Sequence, residues 1–335
     1  MDNNAKVTFI IPAYNVEKYL PRAVESVLAQ TVENWEMIII DDCSKDRTAD
    51  IAWRYAAEDS RIRCILLDSQ SGGAYVPRKR GITEALTEIV APLDADDEIE
   101  KDYLERLLKT MSETGADAVY PIMYDWDGRT AALLMSPDPA VIGKTMPGKE
   151  AVKYTLDGWR IHCNGGLIKR SAYLRSFDMI DERKIERRAY LDEYLTRILL
   201  YNCEKVTITP VKYLYRENPD SVTKIMDLRK FSFLENNLRL LTFAKALYPE
   251  GSEESVRAQC QNFYGLIRAA RLMRDIELSE EDREKLERML ISCRAEVDWK
   301  AIKGRVSDRY YRLMRMPEWI SEKLLYAIDF FKGRT

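Results

Sequence analysis

The sequence predicts an α/β fold: a mostly parallel sheet flanked by helices, followed by a helical C-terminal region. Three observations predict it. Short, wholly apolar runs recur through the first third of the chain, as expected of parallel strands buried on both faces. Segments of helical period separate them, so the order is strand, helix, strand, helix. From about Asp227 onward the pattern is helical, with charged faces and few breakers.

The elements follow in order. Val7 to Ile11 is the first strand, and Tyr19, Leu20, Ala23, Val24, Val27 and Leu28 recur at helical spacing after it. Met37 to Ile40 is a second strand. Asp46 to Glu58 reads as a helix capped by Thr48 or Ser44. Ile62 to Leu67 is a third strand, Arg78 to Leu86 a helix, and Ile89 to Leu93 a fourth strand. Asp102 to Thr114 is helical and Ala118 to Met123 extended. Asp125 to Gly148, rich in Pro, Gly and Asp, reads as a loop excursion. Lys149 to Leu156 and Leu191 to Tyr201 are helices; Val206 to Ile208 and Lys212 to Tyr215 are two short strands. The expected domains are 1–226 and 227–335.

Composition bounds the function. With 335 residues, 46% apolar and 32% charged, the chain can bury a sizeable core. A net charge of -3 gives no reason to expect nucleic acid as a partner. Six scattered cysteines offer no zinc or dithiol spacing and read as buried reduced thiols. The N-terminus has no signal-peptide pattern and no apolar run reaches membrane-spanning length, so the expected location is cytoplasmic. No G-x-G-x-x-G follows the first strand and no G-x-x-x-x-G-K-[ST] occurs, which disfavours dehydrogenases and P-loop enzymes.

Ligands of such sheets sit at the carboxyl ends of the strands. Here those ends carry Pro12-Ala13-Tyr14-Asn15, Asp41-Asp42-Cys43-Ser44 and Asp94-Ala95-Asp96-Asp97. Clustered carboxylates repel one another, and a hard cation such as Mg²⁺ or Mn²⁺ relieves that cost. The plainer alternative is a helix start enriched in acids, which suits Asp97 better than Asp94 at a strand end. Asp41-Asp42 is either a cap or an acceptor for base N–H or ribose hydroxyl groups. Tyr14 is either an ordinary half-buried aromatic or a stacking platform for a nucleobase.

Those same residues resemble family 2 glycosyltransferases of the GT-A (Rossmann-like) fold. The similarity is carried by Ile10-Ile11-Pro12-Ala13-Tyr14-Asn15, by Ser26 to Thr31 and by Ile40 to Thr48. It continues through Ser71-Gly72-Gly73 with Arg78 and Gly81-Ile82, and through Leu93-Asp94-Ala95-Asp96-Asp97, which looks like the D-x-D metal motif. It runs from Val7 to Glu105, and more loosely to Ser221. The resemblance implies that Pro12, Tyr14 and Asp42 hold the nucleoside and that Arg78 lies near the sugar or pyrophosphate. It implies that Asp94 and Asp96 span ribose, sugar and metal, with Asp97 sharing the Mn²⁺ or Mg²⁺. It points to Asp192 as catalytic base, with Glu193 as the adjacent alternative. Leu191 stands where the family has Glu, and Lys79 where it has Asn. Arg216, after Tyr213-Leu214-Tyr215, falls near the donor phosphates or simply ends a strand. His162 and Asn164 are acceptor-side candidates.

The reading is an inverting, metal-dependent hexosyltransferase that moves a sugar from a UDP-sugar to a glycan or lipid-linked acceptor in surface polysaccharide synthesis. Two alternatives remain. A nucleotidyltransferase would carry a Gly-rich basic loop after the first strand, where this chain has Pro12 to Asn15. A non-catalytic nucleotide-sugar or glycan-binding relative is kept open by Leu191. Residues 299–335 hold nine basic and four acidic side chains, with Trp299, Ile302, Val306, Tyr310 and Leu313 at helical spacing. They pack on the protein or in a homo-oligomer, or they lie peripherally on the inner face of a membrane.

Overall fold

The computed structural model describes residues 6–135, 138–156, 165–182, 191–218, 224 and 226–315. The chain forms two compact units: Met1–Thr155 with Trp159–Asp220, and Leu156–Gly158 with Ser221–Thr335.

The first unit is a sheet with helices. Its elements are β1 (Val7–Ala13), α1 (Leu20–Leu28), β2 (Trp35–Asp41), α2 (Thr48–Glu58), β3 (Ile62–Leu66), α3 (Tyr75–Glu84) and β4 (Ile89–Pro92). Then come β5 (Glu98–Ile99), α4 (Tyr103–Thr114), β6 (Ala118–Trp126), β7 (Ala131–Met135), β8 (Thr145–Pro147) and α5 (Gly148–Lys153). β9 (Leu167–Lys169), α6 (Arg170–Asp178), α7 (Leu191–Tyr201) and β10 (Lys205–Tyr215) complete it. The strand order is β3-β2-β1-β4-β9-β6-β10-β5, with β7 on β6 and β8 on β10. β3, β2, β1 and β4 pair in parallel, as do β6 and β10. Short β9 is antiparallel to both β4 and β6, so those two run the same way on either side of it.

Every residue of β1 is buried, which explains why the strand reads as an unbroken apolar run. The ladder to β4 ends at Ile10↔Pro92, so Pro12 lies beyond it, at the end of the strand where a missing N–H is tolerated. α4 buries Leu104, Leu107, Leu108 and Met111 and stops at Gly115, whose φ of 63° is the left-handed conformation that glycine tolerates. Each such side chain contributes about 2 kcal/mol of burial. α3 packs so closely on the sheet that a Cβ on Gly81 would lie 2.5 Å from Ile40 Cδ1 and 2.8 Å from Ile10 Cγ2.

The structure corrects several expectations. The stretch from Asp125 to Gly148 contains β7 and β8. β7 is the outer arm of a hairpin, with Leu133 57% and Leu134 46% exposed, and its turn is held by Asp127 rather than by a buried pattern. The two short strands after residue 205 are one strand, β10, with a register shift between Ile208 and Lys212. The N-cap position of α2 is Arg47, which makes no side-chain capping bond; Asp46, one residue before it, accepts hydrogen bonds from Thr48 N (2.9 Å) and Oγ1 (2.6 Å).

The second unit is helical: α8 (Ser232–Leu247), α9 (Glu253–Leu272), α10 (Glu280–Ala295) and α11 (Asp308–Met314). Ser252 and Ser279 cap α9 and α10 by accepting from Ser255 N and Asp282 N. Phe231, Leu234, Phe263, Leu286, Cys293 and Ile302 form its core. The helix expected across Trp299 to Leu313 is turn structure up to α11: Ile302 and Val306 reach that core from the stretch before α11, and Leu313 and Met314 from α11 itself. Residues 316–335, on which the rest of the membrane expectation falls, lie outside the described residues. Among the described residues no helix is long and apolar enough to cross a membrane.

Candidate functional site

The carboxyl ends of β1, β2 and β4 lie side by side, because those strands are neighbours in the sheet. The candidate residues divide into two groups along that edge.

The first group is knitted by hydrogen bonds. After β1 the chain turns through Asn15 (φ 50°), and after β2 through Cys43 (φ 60°). The two turns clasp each other. Asn15 N donates to Ser44 Oγ (2.9 Å), and Lys45 N to Asn15 Oδ1 (2.8 Å). Val16 N donates to Thr48 Oγ1 (2.8 Å). Asp42, buried at the end of β2, accepts from Ser71 N (2.9 Å) and Ser71 Oγ (3.0 Å), and so fixes the loop between β3 and α3. Neighbouring Asp41 accepts from Ser44 N (3.0 Å). Tyr14 is half-buried and makes no hydrogen bond or ring contact among the described residues. Pro12 is buried.

The second group follows β4. Asp97 is buried, and both its oxygens are engaged. Tyr213 Oη donates to Oδ2 (2.7 Å), and Arg216 N to Oδ1 (2.9 Å). The same tyrosine oxygen accepts from Asp94 N at 3.2 Å. Tyr213 is packed under Gly165, whose φ is +79° and whose Cβ, if present, would lie 2.3 Å from the ring. Asp96 accepts from Asn218 Nδ2 at 2.9 Å. Burial, and then the charge of Asp94, push Asp96 up to about 6. Burial, then Asp96 and Asp94, push Asp97 well above the usual carboxylate range.

Arg78, on α3, joins this group to α7. Its guanidinium donates to Asp94 Oδ1 (3.3 Å) through Nη2 and to Asp192 Oδ1 through Nη1. Arg78 has no exposed surface, whereas the Asp94 and Asp192 side chains are 31% and 27% exposed. Asp192 Oδ2 makes no hydrogen bond with any described residue, so the carboxylate has one tied and one open oxygen. Glu193 follows it on the first turn of α7. Lys79 is paired with Glu182, and Arg216 with Glu98 (2.6 Å), so Arg216 serves the end of a strand. His162 and Asn164 lie outside the described residues.

Sequence reasoning missed Asn218 and the double role of Tyr213. Neither sits in a local pattern; only the return of β10 beside β5 brings them to the acids. Among the described residues no group of three His, Cys, Asp or Glu side chains is disposed to hold a metal ion. An oxygen-liganded cation that takes one or two carboxylates and completes its shell with phosphate and water still suits the donor set. Asp96 offers an oxygen without a hydrogen-bond partner in a setting that disfavours its charge.

A mostly parallel sheet of this order, flanked by helices and with an acidic run after β4, is the architecture of the GT-A fold. The S. aureus TarS 1–349 structure in complex with UDP superimposes with a TM-score of 0.67 at 19% identity, covering 98% of this chain and 92% of that one. The chain belongs to glycosyl transferase family 2, whose family model matches residues 8–195. It is 37% identical over 148 residues to TuaG of Bacillus subtilis, a glycosyltransferase assigned to teichuronic acid biosynthesis, covering 44% of this chain and 55% of TuaG. It is 26% identical over 223 residues to the glycosyltransferase GlyG of Streptococcus pneumoniae serotype 4, covering 65% and 73%. The match thus spans about half the length of TuaG.

Proposed function

We propose that the chain transfers a sugar, with inversion, from a UDP-sugar to a hydroxyl of a glycan or lipid-linked acceptor in surface polysaccharide synthesis. The observation that carries this is the Asp192 carboxylate: half-tied by Arg78, half-open, and linked through that arginine to the acids after β4. The relatives support the substrate class, since TarS structures are described with UDP and with UDP-GlcNAc. A purely binding relative would have no use for a carboxylate held with one free oxygen.

The roles follow from position. Tyr14 stacks on the base, while Asp42, held by Ser71 and backed by Pro12, receives nucleoside hydrogen bonds. Asp96 would hold a Mn²⁺ or Mg²⁺ ion, which would supply positive charge beside the diphosphate. Asp97 is tied through Tyr213 to the backbone of Asp94. Asp192 Oδ2 takes the proton from the acceptor hydroxyl as that oxygen bonds to the anomeric carbon. The carbon–oxygen bond to the diphosphate breaks, and its electron pair leaves with UDP. Cytoplasmic location, peripheral membrane contact through 299–335 and self-association belong to the same proposal.

The test is UDP release from a panel of UDP-sugars by the full chain, with Mn²⁺ and with EDTA. Asp192→Asn is expected to lower release about 10²- to 10⁴-fold, the usual share of a general base, while UDP with Mn²⁺ still raises the melting temperature. Undiminished release by Asp192→Asn would assign the base elsewhere, with Glu193→Gln as the next variant.

A further inference from the structure

We infer that Arg78 is a positioning residue for the base: it acts on the sugar transfer through Asp192 rather than by touching the donor. This rests on the reading of Asp192 given above and goes beyond it. Three observations carry it. The guanidinium reaches two carboxylates 98 positions apart in sequence, Asp94 after β4 and Asp192 on α7. Its side chain has no exposed surface while both partners do, so a ligand at this strand edge meets the aspartates and not the arginine. The bond uses only Oδ1 of Asp192, which restrains the carboxylate's rotation and leaves Oδ2 without a hydrogen-bond partner among the described residues.

The physical consequence is specific. A lone carboxylate on the first turn of a helix has two equivalent oxygens and a freely rotating χ2. Pinning one oxygen to a rigid, planar guanidinium removes that freedom. Arg78 is itself held by α3, which Gly81 seats tightly against Ile10 and Ile40 of the sheet. The base on α7 is thereby registered to the strand edge that carries Asp94. Lysine, a point charge on a flexible stem, replaces the charge but not the fork.

The experiment is a double-mutant cycle on the full chain. Arg78→Gln, Arg78→Lys, Asp192→Asn and Arg78→Gln/Asp192→Asn are compared with wild type, using the UDP-sugar that wild type turns over fastest. UDP release and the affinity for UDP with Mn²⁺ are both measured. Positioning predicts that Arg78→Gln lowers kcat at least 30-fold and leaves UDP affinity within about threefold, which also shows that the variant is folded. It predicts partial recovery in Arg78→Lys, and a double variant no slower than Asp192→Asn alone, because residues acting as one unit are not additive. Losses that multiply in the double variant, or a UDP affinity that falls in step with kcat, would overturn it and make Arg78 a donor contact. If Asp192→Asn itself retains full turnover, or wild type releases UDP from no UDP-sugar, the underlying functional reading fails, and this inference with it.

Discussion

The two halves of the strand edge are built from the same residue type and treat it in opposite ways. On the β1–β2 side, Asp42 and Asp46 are surrounded by N–H and O–H donors, and Asp46 is held below the usual carboxylate range despite its partial burial. On the β4 side, Asp94, Asp96 and Asp97 crowd together, and burial with like charge drives Asp96 and Asp97 upward. Donors on the first side compensate the acids, so the loops hold a fixed shape. Incomplete compensation on the second side leaves electrostatic strain that a ligand can relieve, as functional sites commonly do.

Removing charge from the strained half gives the largest effect. Asp96→Asn is expected to reduce UDP release at least about 10²-fold, in the range seen when a single electrostatic contact to the transition state is lost. In EDTA at pH 8 the same variant should gain stability. A rise from 3.8 to about 6 corresponds to at most about 3 kcal/mol at roughly 1.4 kcal/mol per unit; after solvent screening the expected gain is about 1–2 kcal/mol. The sign sets the pH window. An acid whose folded value is raised binds its proton more tightly when folded, so metal-free wild type should lose stability as pH rises from about 4 through about 6. Urea titrations at pH 4.5 and 7 measure this, and a variant less stable than wild type at pH 8 would show that the half is not strained.

Tyr213→Phe comes next. It leaves Asp97 Oδ2 buried without a donor and frees Asp94 N, at a cost of about 1–3 kcal/mol by chemical denaturation. Ser71→Ala tests the relaxed half. It deletes one of the two hydrogen bonds to Asp42 and keeps the backbone one, so the cost should be about 1 kcal/mol with no change in the pH dependence.

The difference between the halves also explains what the sequence made legible. β1 and β2 stand out as buried apolar runs, and α7 from Leu191 to Tyr201 as a helical period, because local burial dictates local pattern. The acids after β4 were visible because they follow such a strand directly. Which acid is strained was not visible, because the donors that decide it come from far along the chain: Tyr213 for Asp97, Asn218 for Asp96, Arg78 for Asp192. Those partners are set by the pairing of β10 with β6 and β5 and by the packing of α3, which no window of neighbouring residues encodes. β7 was missed for the opposite reason, since a strand whose Leu133 and Leu134 face solvent carries no burial signal.

The smallest predicted effect probes how far the relaxed half can be cut before it matters. Ser44 Oγ accepts from Asn15 N in an exposed position, where water can replace the hydroxyl. Ser44→Ala should therefore cost no more than about 0.5 kcal/mol. Asn15 remains tied by Lys45 N, so the left-handed turn at φ 50° keeps its shape. Calorimetry of UDP binding gives the sharper reading, because the turn carries Tyr14. Unchanged affinity would mean that the remaining bonds over-determine the loop. A loss above about tenfold would mean that this one exposed bond sets where Tyr14 points, and that the relaxed half holds its shape with less reserve than its hydrogen bonds suggest.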